Sequence, residues 1–323
     1  MTTSVGCKPL VSVCIPVLNE ELCIEALYIR LSKLADKMSS KCEVEFIFTD
    51  NHSSDRTWDL IGNLAKKDSR VKAIRFTKNI GFQKSIMANY LHSSGDAVFQ
   101  IDADMQDPPE LLEQFFDLWA SGYKIVYGVR RSRPENIFLT AFRKVGYFIV
   151  DKMSDYPIPR NVGDFRLIDK EVVNTIFKYK IPTPYLRGLV AGLGFKSICI
   201  EFDRDKREAG TTKFKVSHLI GLGISAIFNN SVAPLRAASY VGLLMLAISI
   251  VGAFYYVAVR FMHPELPAGF ASIHVLVIFG IGLNSFLLGI LGEYLLRIYL
   301  TIRSDPLAII EDKLNIAEGK LLL

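Results

Sequence analysis

Two stretches near the C-terminus, Ala237 to Val259 and Leu266 to Gly292, contain no Asp, Glu, Lys or Arg. Each exceeds the roughly 20 residues that a helix needs to cross a hydrocarbon core. A core helix of a soluble protein rarely runs that far without a charge on one face. A pair of transmembrane helices within 233–300 is therefore expected. Their short connector carries Arg260, His263, Pro264 and Glu265, whereas Arg236, Arg297 and Arg303 flank the opposite ends. The excess of positive charge on that side places the N-terminal region and a tail, 301–323, in the cytosol. Small residues four apart, Ser249 with Ala253 and Ser285 with Gly289, allow close helix contacts and point to a homo-oligomer.

Upstream of these runs the pattern is of another kind. Val11 to Val17, Val44 to Phe48, Val71 to Phe76, Ala97 to Ile101 and Lys124 to Val129 are short apolar runs rich in β-branched residues. Helix-like segments separate them, opening near Asn19-Glu20-Glu21 (with Leu22, Ala26, Leu27, Ile29, Leu31 and Leu34 as apolar positions), at Thr57 and at Gln83, and spanning Leu111 to Trp119. Alternation of this sort predicts an α/β domain with a mostly parallel sheet. Further strands are expected at Gly163 to Ile168 and Phe195 to Phe202. The first ten residues lack an apolar leader, so no cleaved signal is expected. The five cysteines form no CxxC pair, which reads as reduced thiols in a cytosolic domain. A net charge of +5 over 323 residues is too small to mark a nucleic-acid binder.

In an open α/β sheet, ligands bind beyond the C-terminal ends of the strands. Polar clusters stand at two such ends. Asp50-Asn51-His52-Ser53-Ser54-Asp55 follows the second strand; Ser53 or Ser54 is suited to cap the next helix, whereas Asp50 has no evident capping task. Asp102-Ala103-Asp104-Met105-Gln106-Asp107-Pro108-Pro109-Glu110 follows the fourth. Asp107 suits a helix N-cap and Pro109 a first helical turn. Asp102, Asp104 and Gln106 alternate by two, so an extended chain would point them one way. Converging hard oxygen ligands suit Mg²⁺ or Mn²⁺ together with a substrate's phosphates.

Beyond the fifth strand the chain turns basic. Arg130-Arg131-Ser132-Arg133 leads into a segment, about 135–153, that mixes Phe138, Phe142, Tyr147 and Phe148 with Arg143, Lys144 and Lys152. It fits either an amphipathic helix on a membrane surface or a helix docked on the sheet with a solvated basic face. A basic loop, Asp203 to Lys215, follows the last strand. The apolar stretch 214–232 then reads as an interface helix.

Taken together, Ile15-Pro16-Val17-Leu18-Asn19-Glu20, the Asp50 loop, the Asp102 to Glu110 stretch, Gly163-Asp164-Phe165-Arg166-Leu167 and Arg207-Glu208-Ala209-Gly210-Thr211-Thr212-Lys213-Phe214 resemble the inverting glycosyltransferases of family two. More narrowly they resemble polyprenyl-phosphate glycosyltransferases related to dolichol-phosphate mannose synthase, in particular bactoprenol glucosyltransferases. The resemblance implies a GT-A, Rossmann-like domain over 1–213 in a multi-pass protein of the inner membrane. The implied reaction moves a hexose, glucose from UDP-glucose first, onto undecaprenyl phosphate with inversion, for later use in modifying an envelope glycan such as a lipopolysaccharide O-antigen. GDP-mannose or a UDP-N-acetylhexosamine are alternative donors.

Residue by residue, the resemblance assigns Pro16, Asn19, Glu20, Asp50 and Asp102 to the donor nucleotide, and Asp102, Asp104 and Gln106 to metal and diphosphate. Arg130 and Arg143 fall to the acceptor phosphate, with Arg207 and Lys213 closing the pocket. Asp164 faces the acceptor, orienting arginines or sugar first and acting as a base second. A flippase and a second glycosyltransferase are implied as functional partners. Leu18, Asn51 and His52 depart from the family's usual residues, which touches the donor's identity. Two other readings are a processive polysaccharide synthase, which lacks its Gln-x-x-Arg-Trp signature here, and an inactive membrane scaffold.

Overall fold

A computed structural model describes residues 8–131, 162–179, 186–204, 233–262, 269–303 and 306–316. Strands β1 (Leu10–Val17), β2 (Glu43–Asp50), β3 (Val71–Phe76), β4 (Ala97–Gln100), β5 (Ile125–Arg130), β6 (Val162–Asp169), β7 (Ser197–Phe202) and β8 (Ile310–Leu314) form one sheet in the order β7-β5-β6-β4-β1-β2-β3-β8. The half β4-β1-β2-β3 is parallel throughout, as is the pair β5-β7. β6 runs antiparallel between β4 and β5, and β8 antiparallel beside β3. The expected α/β domain with a mostly parallel sheet is what forms.

Helices α1 (Ile24–Met38), α2 (Thr57–Lys67), α3 (Phe82–His92) and α4 (Leu112–Ala120) cover the sheet; α5 (Lys170–Ile176) and α6 (Leu186–Gly192) follow β6. The first helix starts later than its sequence suggests, at Ile24, because residues 18–23 form a turn. It buries Ile24, Leu27, Leu31, Leu34, Ala35 and Met38, while Leu22 and Ile29, expected inside, are exposed.

Strand β6 shows how the pleat sorts chemistry from packing. Phe165 and Leu167 belong to the core cluster on the α1 and α4 side, whereas Val162 and Ile168 belong to the cluster beneath α3. Asp164 and Arg166 share the parity of Val162 and Ile168, so they enter the α3 side. On the other face Phe165 packs edge-on or tilted against Phe99, Phe115 and Phe202 with ring centroids 5.1–5.2 Å away. Each such pair contributes about 0.5–1.5 kcal/mol beyond its buried area. Gly128 on β5 makes room for them: a Cβ there would lie 2.4 Å from Phe165 and 2.9 Å from Phe202.

After the sheet domain come α7 (Ala233–Met262) and α8 (Phe270–Arg303), two long helices. Among the described residues one stretch, Phe279–Leu300 in α8, is long and apolar enough to cross a membrane; the apolar part of α7, Ala237–Gly252, is shorter. Large apolar side chains on both helices, including Leu243, Phe254, Leu276 and Phe286, are exposed. The segment beyond α8, expected as a tail, contains β8, which adds an edge to the sheet. Its sequence, Ile-Glu-Asp-Lys-Leu, places three charged residues between two apolar ends and carries no period-two signal, so pairing with β3 decides its conformation. The expected helices at 135–153 and 214–232 lie outside the described residues.

Candidate active site

Two loops leave the C-terminal ends of the parallel strands side by side. Residues 18–23 follow β1 and residues 51–56 follow β2. Asn19 has a left-handed backbone, φ 53°. Its N–H donates to Ser53 Oγ at 2.9 Å, its Oδ1 accepts from Ser54 N–H at 2.8 Å, and Glu20 N–H donates to Thr57 Oγ1 at 2.9 Å. Asp50, fully buried at the end of β2, accepts from both the N–H and the hydroxyl of Ser53. It caps no helix, as expected, but closes its own loop, and Ser53 serves that loop instead of capping α2. The first turn of α2 takes Asp55, which accepts from Thr57 N–H at 3.0 Å. Burial raises the Asp50 pKa; the Ser53 bonds and Arg75 oppose it. Pro16, paired with Thr49, lies buried in β1 directly beneath.

The acidic stretch folds differently from an extended ligand row. β4 stops at Gln100, residues 103–105 turn, and Met105 takes φ 61°. Asp104 Oδ1 accepts from Gln106 N–H at 3.2 Å, so the three expected ligands lie around a turn. Asp107 is no N-cap. A short 3-10 helix, Pro109–Leu111, precedes α4; its N-cap is Pro108, with Pro109 next as expected, and the buried Asp107 carboxylate faces Arg130 at 3.3 Å and Arg204 at 3.2 Å. Arg204 also lies 3.6 Å from Asp104.

Asp164 stands across from them on β6. Its Oδ2 accepts from Arg187 at 2.8 Å and from Gln83 at 3.3 Å, and its Oδ1 lies 3.6 Å from the fully buried Arg166. Burial pushes its pKa up, but Arg187 and Arg166 outweigh burial and hold it below the usual carboxylate range. Asp102 is the opposite case. Burial first, then the charges of Asp107, Asp104 and Asp164, push it up to about 7, against the pull of Arg130. Among the described residues its Oδ1 is buried without a hydrogen-bond partner.

Four carboxylates (Asp102, Asp104, Asp107, Asp164) thus meet four guanidinium groups (Arg130, Arg166, Arg187, Arg204) at one sheet end. Arg187 and Arg204 were not singled out from the sequence: one sits on a short helix, the other begins a loop whose charge resembles that of any solvated surface. Arg143, Arg207 and Lys213 lie outside the described residues. Among the described residues no three His, Cys, Asp or Glu side chains gather as a metal cage. Mg²⁺ and Mn²⁺ do not require one when a substrate's phosphates complete the shell, and one or two protein carboxylates suffice. The unpartnered Asp102 oxygen in a field of other carboxylates fits a divalent ion.

Both tryptophans have packing roles: Trp58 lies under Arg75, and Trp119 Nε1 donates to Asp169 at 2.9 Å.

Residues 12–177 match the family model described as glycosyl transferase family 2. The uncharacterized glycosyltransferase YkcC of Bacillus subtilis is 35% identical over 96% of both chains. The bactoprenol glucosyl transferase of Shigella phage SfX is 32% identical, covering 94% of this chain and 99% of its own. A prophage bactoprenol glucosyl transferase homolog of Escherichia coli K12 is 31% identical, covering 93% and 98%. With a mostly parallel sheet, with its polar loops at the C-terminal strand ends and with relatives alike from end to end, the chain belongs to glycosyl transferase family 2 and is a glycosyltransferase.

Proposed function

We propose that this glycosyltransferase moves a hexose, glucose from UDP-glucose first, onto the phosphate of undecaprenyl phosphate, with inversion, at the cytosolic face of the plasma membrane. The observation that carries the reading is the pairing of carboxylates with arginines at one sheet end, in a chain that also carries two long helices with exposed apolar side chains. Curated relatives matched over nearly their whole length carry the name bactoprenol glucosyl transferase. The two helices form a membrane-spanning pair in this reading, and β8 supports it. A strand that rejoins the sheet returns the chain to the side from which α7 left.

On the donor side, the loop held by Asn19, Asp50 and Ser53, with Pro16 and Glu20, takes the nucleotide. Asp102, Asp104 and Gln106 hold a divalent ion, which when bound supplies positive charge to the departing diphosphate. Arg130 and Arg143 take the acceptor phosphate, with Arg207 and Lys213 closing the pocket. A lipid phosphate is already anionic at neutral pH, so no proton has to be removed before it attacks. Asp164, held ionised between Arg187 and Arg166, is poorly suited to accept one. It instead fixes Arg187 and Gln83 in place.

The test is transfer of label from radiolabelled UDP-glucose, GDP-mannose and UDP-N-acetylglucosamine to undecaprenyl phosphate by the purified chain, with Mn²⁺ or with a chelator. Label entering the lipid phase from UDP-glucose, and only with the ion, is the expected result. Absence of transfer from all three donors contradicts the reading.

A further inference from the structure

Strand β8 brings one charged side chain to the donor loop. In its pairing with β3, Ile74 opposes Lys313, Arg75 opposes Asp312 and Phe76 opposes Ile310, so Glu311 is the extra residue of a bulge. Bulges re-aim side chains and recur beside active sites. The Glu311 carboxylate lies 3.2 Å from Arg75 Nε and 3.2 Å from His52 Nδ1. Arg75, opposite Asp50 in the sheet, has Nε 3.6 Å from the Asp50 carboxylate and donates from a terminal nitrogen to Ser53 C=O at 3.2 Å. His52, in the same loop, has a left-handed backbone, φ 61°. A residue with a Cβ keeps that conformation only where its surroundings hold it. The His52 ring is held by Phe76 C=O at 3.1 Å and by Glu311.

The segment carrying Glu311 is itself anchored. Thr77 N–H donates to Ile309 C=O at 3.0 Å, and the Asn315 side chain donates to Ala65 and Val71 C=O at 2.8 and 2.9 Å. Ala308 is buried.

We propose that Glu311 is a positioning residue for the donor nucleotide, so that the segment following the second long helix completes the donor side of the site. This rests on the assignment of the Asp50 loop to the nucleotide. Glu311 acts through Arg75 and His52, fixing the ends of the Asp50–Ser53 turn without touching the donor.

The experiment compares Glu311→Gln, Glu311→Asp and the same-strand control Asp312→Asn in the full chain. UDP binding with Mn²⁺ is followed by calorimetry, and turnover is measured against UDP-glucose and against undecaprenyl phosphate. Glu311→Gln is expected to raise the UDP-glucose KM and weaken UDP binding about five- to tenfold. The kcat and the lipid KM should stay within about twofold, Glu311→Asp should recover part of the loss, and Asp312→Asn should match wild type. His52→Gly added to Glu311→Gln should also recover binding, since glycine takes up φ 61° unaided. A drop in thermal stability with unchanged donor KM, or an equal effect of Asp312→Asn, would overturn the proposal. Asp50→Asn run in parallel separates the two levels. If it weakens UDP binding while Glu311→Gln does not, the positioning role alone falls; if it has no effect, the donor assignment falls and the proposal with it.

Discussion

Asp50 and Asp102 look alike in the sequence, each an acid where a parallel strand runs out, yet the fold treats them in opposite ways. Both carboxylates lose water to burial, which favours the neutral form. At Asp50 the protein replaces that water: Ser53 donates twice and Arg75 stands by. At Asp102 it does not, and three further carboxylates deepen the cost. A buried acid supplied with protein donors serves as a rigid part of a loop. One left short of donors among its own kind is suited to a cation that arrives with the substrate.

The largest consequence falls on turnover. Asp102→Asn or Asp104→Asn should lower Mn²⁺-dependent transfer about 10²–10³-fold, the scale of removing one preorganised electrostatic contact, with an unchanged circular dichroism spectrum. Asp50→Asn should act in another column, raising the donor KM about tenfold with a smaller loss of kcat. If the two variants gave the same kinetic pattern, the contrast between the two acids would fail.

Arg130→Lys comes next. It keeps the charge but loses the fork that holds phosphate or carboxylate bidentately. Turnover at fixed lipid should fall about tenfold and the lipid KM should rise, with nucleotide affinity unchanged; equal damage to both would move Arg130 to the diphosphate.

A smaller effect concerns pH and stability without metal. The Asp102 pKa is raised in the folded state to about 7, from about 3.9 in the unfolded chain. Its protonated form therefore favours the fold below pH 4, and that contribution is lost as pH rises toward and through 7. Metal-free wild type should lose melting temperature between pH 5 and 8 relative to Asp102→Asn, and added Mn²⁺ should stabilise wild type more at pH 8 than at pH 5.5. Parallel melting curves for the two proteins would contradict the assignment.

Much of this was legible from the chain. β-branched runs alternating with amphipathic segments gave the parallel half of the sheet, and the polar clusters after β2 and β4 lie, as expected, beyond the C-terminal ends of parallel strands. Geometry within the site was less legible, because a local turn at Ala103 to Met105 breaks the extended row, and the capture of Asp107 by Arg130 and Arg204 depends on the ends of β5 and β7, far away in sequence. Period-two spacing implies a common direction only while the chain stays extended. Asp107 read as a cap because a local rule was applied to a residue whose partners are not local. Arg187 and β8 were missed for the same reason: a lone arginine on a seven-residue helix and a five-residue charged strand acquire meaning only from what they meet.

The most direct test of the paired acids is a calorimetric titration of UDP into the metal-free chain and into the Mn²⁺-loaded chain, for wild type and Asp102→Asn. Mn²⁺ should tighten UDP binding at least about tenfold in wild type and have little effect in Asp102→Asn, in line with the loss expected on removing one ligand contact. Equal UDP affinity with and without Mn²⁺ in wild type, or an undiminished Mn²⁺ effect in Asp102→Asn, would contradict the claim that Asp102 is left unpartnered for a cation.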